Sequence, residues 1–469
     1  MSTGPRNRQL ALACSVVGAM TVALDGTVLT VVQPSLQRDL DASFTQVQWT
    51  STGYLIAVAS LLVFAGRLGD RYGHRRLFAI GTLGFAAASA GVACASGVGG
   101  VIALRVAQGI FGALLQPATL GMLRAAFPPD RLGMPIALRT SAIGLAAAAG
   151  PVLGGVLATH LGWRSVFFLS VAPSLAIGLV ALAIRLPAPR REAPAPGLDL
   201  PGAALLAVTL ACLVHALVTM PESPKAAIPG LLTAALACAA FLAHERRTTS
   251  PLVPPRLLAT AAVGPALAIL VAASAAMFGS LFIATYFLQD VLDLDPLRCA
   301  LRALPLAVAM VGAAPLSPVL LERHGPRRTI TAAMTSLTLG ILLLSRLAPD
   351  SPQLTTATGF VLLGAGFGTV MVAATTVVVR HAPVTDAGVA GGLQQTALNV
   401  GPTLGIAAAT TLMTTLTPPA PHRTNTAFLA AMPTTLMTLA AVAALGTLTA
   451  TRLPARHSHP HTPADAKTA

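Results

Sequence analysis

The strongest constraint in this sequence is where it withholds charge. Fourteen stretches, near 9–33, 47–66, 77–96, 99–121, 135–158, 165–185, 199–219, 226–243, 261–288, 300–320, 329–346, 353–378, 388–414 and 425–450, are almost wholly apolar. A helix needs roughly 20 such residues to cross a bilayer. Hydrophobic residues make up 54% of the 469 and mean hydropathy is +0.74, more than a water-soluble surface accommodates. The reading is an all-α polytopic membrane protein with fourteen spans. An even count puts both termini on one side.

The arginines decide which side. The N-terminus, the even-numbered loops and the C-tail hold 21 of the 30 Lys and Arg, the odd-numbered loops hold seven, and Arg105 and Arg139 lie within spans. Basic residues accumulate on the cytoplasmic side, so both termini are expected there, in a multi-pass protein of the inner (cytoplasmic) membrane. Topology thus accounts for the net charge of +14, and with aromatics at only 4% no nucleic-acid partner is implied. The first apolar stretch follows Arg6 and Arg8 as a signal peptide would, but it contains Asp25, runs to about Val32 and has no convincing cleavage site. It reads as a retained first helix.

Several chemistries drop out. Cys14, Cys94, Cys212, Cys238 and Cys299 are scattered and odd in number, which suits neither a disulfide framework nor a metal cluster. Neither Lys225 nor Lys467 follows glycine, so there is no phosphate-binding loop of an ATP-driven pump. Asp290, Asp293 and Asp295 cluster without a nearby histidine, so no enzyme, no metal and no cofactor is expected. His457, His459 and His461 read as part of a solvated tail, and His215 as an interior or lipid-adjacent polar residue.

The charge that remains is concentrated. GRLGDRYGHRR at 66–76 returns as PVLLERHGPRR at 318–328, an offset of 252, and GPVLGG at 150–155 returns as GPTLGI at 401–406, an offset of 251. Two motifs with one spacing indicate a duplicated unit. The offset covers eight helices, giving an architecture of six plus two plus six. The units are an N-terminal six-helix bundle (1–187), a linker and inserted helix pair (188–250), a C-terminal six-helix bundle (251–452) and a tail (453–469). Substrate sites of such duplicated carriers lie between the halves.

Asp25 is the most informative residue. A carboxylate at a helix centre costs about 2.5–3.5 kcal/mol on insertion scales, so it faces the protein interior. It is either a proton carrier or a structural hydrogen-bonding group. Arg105 lies at a matching depth, roughly 10 Å below the outer surface at 1.5 Å per residue, and is its candidate partner. Gln108 and Gly109 share its face. Helix 5 carries a stripe of small residues, Gly144, Ala147, Ala148, Pro151, Gly154, Gly155 and Ala158, which permits close helix contact. Gln394, Gln395 and Asn399 are candidates, with Gln108, to line a substrate cavity. In the 66–76 stretch, Gly66 and Gly73 allow close approach and a tight reversal, and Arg71, Arg75 and Arg76 anchor the loop inside.

Together these motifs resemble the major facilitator superfamily, and within it the fourteen-helix drug:proton antiporters. LDGTVLTVVQPSL at 24–36, the 66–76 loop, Arg105 with Gln108 and Gly109, and GPVLGG carry the likeness. So do DLPGAALLAVTLACLVHAL and TYFLQDVLDLDPLRCALRALP. His74 stands where Arg or Lys is usual, and Ala146 where a glycine is common. The resemblance implies the major facilitator fold with two pseudo-symmetric bundles, and proton-driven efflux of drugs or antibiotics, including self-resistance or export of a secondary metabolite. The alternative is a same-fold carrier for a nutrient or endogenous metabolite. It further implies proton coupling at Asp25 and Arg105, gating at Gly66, Asp70, Arg71, Gly73 and Arg75, and an antiporter helix at Gly150, Pro151, Gly154 and Gly155. The expected partners are the lipid bilayer and a small amphipathic molecule, neutral or monocationic because only one acid, Asp25, lies well inside a span. The expected state is a monomer.

Overall fold

The structure, a computed structural model, describes residues 5–184, 198–220, 223–249, 251–294, 296–416 and 425–454. Most of the linker after residue 184 and the tail after residue 454 lie outside the described residues. Every regular element among the described residues is helical. The first group is α1 (Pro5–Asp39), α2 (Phe44–Tyr72), α3 (His74–Cys94), α4 (Val98–Ala126), α5 (Gly133–Leu161) and α6 (Trp163–Ala183). Next come α7 (Leu200–Thr219), α8 (Pro224–Glu245) and the four-residue α9 (Pro255–Leu258). The last group is α10 (Val263–Tyr286), α11 (Pro296–Leu344), α12 (Gln353–His381), α13 (Ala387–Leu416) and α14 (Asn425–Ala450).

Eleven of these helices are long and apolar enough to cross a membrane, or twelve if α5 is one span. That helix bends by 43° between residues 150 and 152. Pro151 at the bend donates no backbone hydrogen bond to the preceding turn. Helices suit this composition because each satisfies its own backbone polar groups, which lipid cannot do.

The duplicated stretches adopt one turn. Gly73, between α2 and α3, has φ 97°, and Gly325, inside α11, has φ 77°. Both lie in the region that disfavours a side chain. Gly325 divides α11 into two arms that fold back on each other. Gly364 and Gly366 of α12 approach Leu306 of the first arm and Ala333 of the second. The expected spans near 300–320 and 329–346 fall in these two arms.

Packing repeats as well. α1 packs on α5 and α6, and α3 on α4 and α6; correspondingly α10 packs on α13 and α14, and α11 on α12 and α14. The two groups meet reciprocally, α2 against α13 and α5 against α11. α7 packs beside α2 and α13, with α8 outside it. Asp199 caps α7 by accepting from the Gly202 N–H at 2.9 Å and also meets His244 of α8 at 2.7 Å, which ties the pair together.

Candidate functional site

Asp25 on α1 and Arg105 on α4 meet. Arg105 Nη1 donates to Asp25 Oδ2 at 2.7 Å, and both side chains are almost wholly buried. Further polar groups surround the pair. Arg105 Nε donates to the Thr50 carbonyl at 3.1 Å, Nη1 also donates to Gln108 Oε1, and the guanidinium stacks 4.3 Å from the Tyr54 ring centroid. Gln108 Nε2 in turn donates to Asp25 Oδ1 at 2.9 Å and Ser89 Oγ at 2.8 Å. An ion pair taken out of water holds only when its other lone pairs and protons are satisfied. The bonds to Thr50 and Gln108 supply most of those partners. Gln108 belongs to it rather than to an open cavity wall.

A second constellation closes the basic end of the molecule. Asp70, in the last turn of α2, accepts from the N–H groups of Gly388 at 2.7 Å and Val389 at 3.1 Å. These N–H groups have no partner within α13 itself, at whose start the helix dipole favours an anion. His74 Nε2 lies 3.3 Å from the same carboxylate. Gly66 lets the backbones touch: a Cβ there would fall 2.1 Å from the Gly388 carbonyl oxygen. Arg75 donates to the carbonyls of Leu182 and Ile184 at the end of α6, at 3.0 and 2.9 Å. Arg71 lies 5.6 Å from the Tyr72 ring centroid.

This end also holds residues that sequence reasoning missed. Arg67, the second residue of the GRLGDRYGHRR stretch, pairs with Asp386 at 3.0 Å and donates to the Pro251 carbonyl at 3.3 Å. Arg256 reaches the other Asp386 oxygen at 3.5 Å. Arg124 donates to the Ala382 carbonyl, and Arg380 to the Asp130 carbonyl at 3.0 Å. The signal available beforehand was an arginine inside a motif whose neighbours already had roles.

Helix α5 lies against α1 through its glycines. A Cβ on Gly150 would fall 2.0 Å from Thr27 Oγ1, and one on Gly154 would fall 3.0 Å from Val28. Gly155 is half-buried on the same helix, and Pro151 occupies the bend. On α13, adjacent glutamines diverge. Gln394 donates to Thr375 of α12 at 3.0 Å, whereas Gln395 faces the other group of helices and donates to Gln116 of α4 at 2.6 Å. Asn399 donates to the Gln395 carbonyl at 2.8 Å. Arg139, a further residue given no role from sequence, is fully buried on α5 and donates to Thr119 Oγ1 at 3.2 Å and Gln395 Oε1 at 3.5 Å.

At the opposite end, Asp39 closes α1 onto α6. Hydrogen bonds from Trp163 and then Arg164 hold its carboxyl below the ordinary carboxylate range.

The arrangement contains a buried ion pair and a set of polar contacts that join two groups of helices. Among the described residues no group of three or more His, Cys, Asp or Glu could hold a metal. The sequence profile of the Major Facilitator Superfamily matches residues 15–406. A tetracenomycin C resistance and export protein of Streptomyces glaucescens is 40% identical over 400 residues, covering 85% of this chain and 74% of that one. A puromycin resistance protein of Streptomyces alboniger is 35% identical over 403 residues, covering 84% and 80%. A cephamycin export protein of Amycolatopsis lactamdurans is 33% identical over 415 residues, covering 86% and 84%. In fold, the chain is similar to the human organic anion transporter MFSD10, with a TM-score of 0.69 at 16% identity, over 95% of this chain and 100% of that one.

Proposed function

The chain belongs to the Major Facilitator Superfamily, a family of transporters rather than enzymes, and we propose that it expels small amphipathic antibiotics from the cell in exchange for protons. The observation that carries this is the Asp25–Arg105 pair, the one buried carboxylate–arginine contact away from the helix ends among the described residues. Relatives named for antibiotic resistance and export support the direction. The proposed architecture is fourteen spans, with both arms of α11, bent α5 and the less apolar α13 each crossing once. The bundles at 1–187 and 251–452 flank the pair held by 188–250. The basic end is cytoplasmic, and the chain works as a monomer in the cytoplasmic membrane.

The mechanism follows from the pair. A proton taken up by Asp25 from outside removes the counter-charge of Arg105, and a buried cation left unpaired costs several kcal/mol. The α1–α4 contact then rearranges, and the change passes through Thr27, Val28 and the glycines of α5. With the basic end cytoplasmic, the structure is closed to the cytoplasm, held by Asp70 on α13 and Arg67 on Asp386. Opening that latch admits substrate, and substrate entry releases the proton inward. A lone carboxylate suggests neutral or monocationic substrates; its commitment to Arg105 widens the range to one charge of either sign. Dications lack a second carboxylate.

The test is a drug-susceptibility panel in an efflux-deficient host, with and without a protonophore. Resistance that rises on expression and collapses with the gradient supports export. Sensitisation, or uptake that the gradient drives inward, favours the nutrient carrier.

A further inference from the structure

Among the described residues, the charges buried away from the helix ends do not cancel. Asp25 and Arg105 neutralise each other; Arg139 remains. Its side chain is 1% exposed, and none of the ion pairs among the described residues includes it. Both of its hydrogen-bond partners are neutral. The bond to Thr119 of α4 is of ordinary length at 3.2 Å, while that to Gln395 of α13 is at the outer limit at 3.5 Å.

The position matters as much as the charge. Thr119 belongs to the first group of helices and Gln395 to the second, so the guanidinium spans the seam between them. Gln395 is held there by its 2.6 Å bond to Gln116 of α4. Arg139 lies six positions after Gly133, the first residue of α5, which places it roughly 9 Å inside the basic end. Parting of α13 from α4 and α5 breaks the Gln395 bonds and uncovers the guanidinium. A substrate arriving from that end meets it on the way in.

We infer that Arg139 is a substrate-binding group, selecting amphipathic molecules that present an acidic oxygen, such as a carboxylate, enolate or phenolate. The planar fork of arginine matches such oxygens in pairs, and charge-assisted bonds of this kind are the strong ones. The inference rests on the exporter reading and names the substrate class of its seam. Within the range of one charge of either sign, the seam thus prefers an anion, since a monocation is repelled by Arg139 and finds Asp25 already committed to Arg105. When Gln395 returns across the seam, it offers Arg139 an oxygen in place of the substrate's, which helps release on the far side.

Two xanthene dyes of opposite charge, the anion carboxyfluorescein and the monocation rhodamine 6G, test this in everted vesicles energised by a proton gradient. The wild type is expected to favour carboxyfluorescein. Arg139→Gln should lower the anion-to-cation ratio by about tenfold or more, the loss expected when a charged hydrogen bond is removed, and Arg139→Lys should fall between. Gln395→Glu retains Arg139 but supplies a carboxylate within the protein, so it should also lower the ratio while raising thermal stability. This second variant carries the test if Arg139→Gln fails to fold. A ratio indifferent to these substitutions, or a wild type that favours rhodamine 6G, overturns the inference and leaves the exporter reading standing. Transport of neither dye counts against both.

Discussion

Asp70 accepts a 2.7 Å hydrogen bond from the backbone N–H of Gly388, a residue 318 positions away at the start of α13. One carboxylate thereby serves as the N-terminal anion of a helix in the other half of the protein. Its contribution exists only while the basic end is closed. Asp70→Asn removes about 1–2 kcal/mol of this interaction, a five- to thirtyfold shift in the balance of closed and open states. Turnover should fall several-fold while substrate affinity stays within about twofold, since the pocket is untouched. Transport kinetics that match the wild type would reduce the loop to a topological anchor.

Arg67 and Asp386 should behave as a unit. Each is buried, and removing one partner of a buried pair costs about 3–5 kcal/mol. Arg67→Asp and Asp386→Arg are each expected to abolish export. The double exchange should restore a measurable fraction, although Arg256 and the Pro251 carbonyl then face the wrong charge. Failure of the exchange to recover anything beyond the single variants would argue against a direct pairing during transport.

Much of the proposed coupling site was legible beforehand, and the reason is scarcity. Asp25 is the one acid inside an apolar run, and counting 1.5 Å per residue placed Arg105 at the same depth. The 252-residue echo likewise anticipated that Gly325 would turn the chain as Gly73 does. What the sequence hides is which faces meet across the seam. Arg67 with Asp386 and Arg139 with Gln395 lie on opposite sides of the duplication, and helical periodicity records only that a face is polar. Gln394 and Gln395 illustrate the limit: adjacent helical residues diverge by about 100°, so one turns into its own group of helices and the other across to α4.

Gly150 makes the contact between α5 and α1 directly testable. A methyl group there collides with Thr27 Oγ1, and overpacking of this kind costs typically about 1–3 kcal/mol. Gly150→Ala should lower both thermal stability and efflux. Adding Thr27→Ala removes the nearer opposing atom, leaving the Thr27 Cβ at 2.9 Å, and should recover part of the lost stability. A single variant as stable as the wild type would show that α1 and α5 are not in close contact at Gly150.

The Asp39 strap supplies a pH dependence with a defined sign. Its carboxyl is held below the ordinary value of 3.8 by Trp163 and then Arg164. The stabilisation is therefore complete above 3.8 and is lost as pH falls through the lowered folded value. Fluorescence of Trp163, isolated by replacing Trp49 with Phe, should be flat from pH 7 to 5 and change only below 3.8. A transition near pH 6 would show that some other group controls this end.

If proton movement through Asp25 drives export, proton flux reports it without the delay of a growth assay. In everted vesicles carrying an imposed acid-inside gradient, addition of an exported drug from the susceptibility panel should dissipate the gradient in the wild type. Asp25→Asn, present at the same level in the membrane, should leave the gradient intact and accumulate no drug. Drug-induced proton release by Asp25→Asn at the wild-type rate would show that the proton travels by a route other than Asp25.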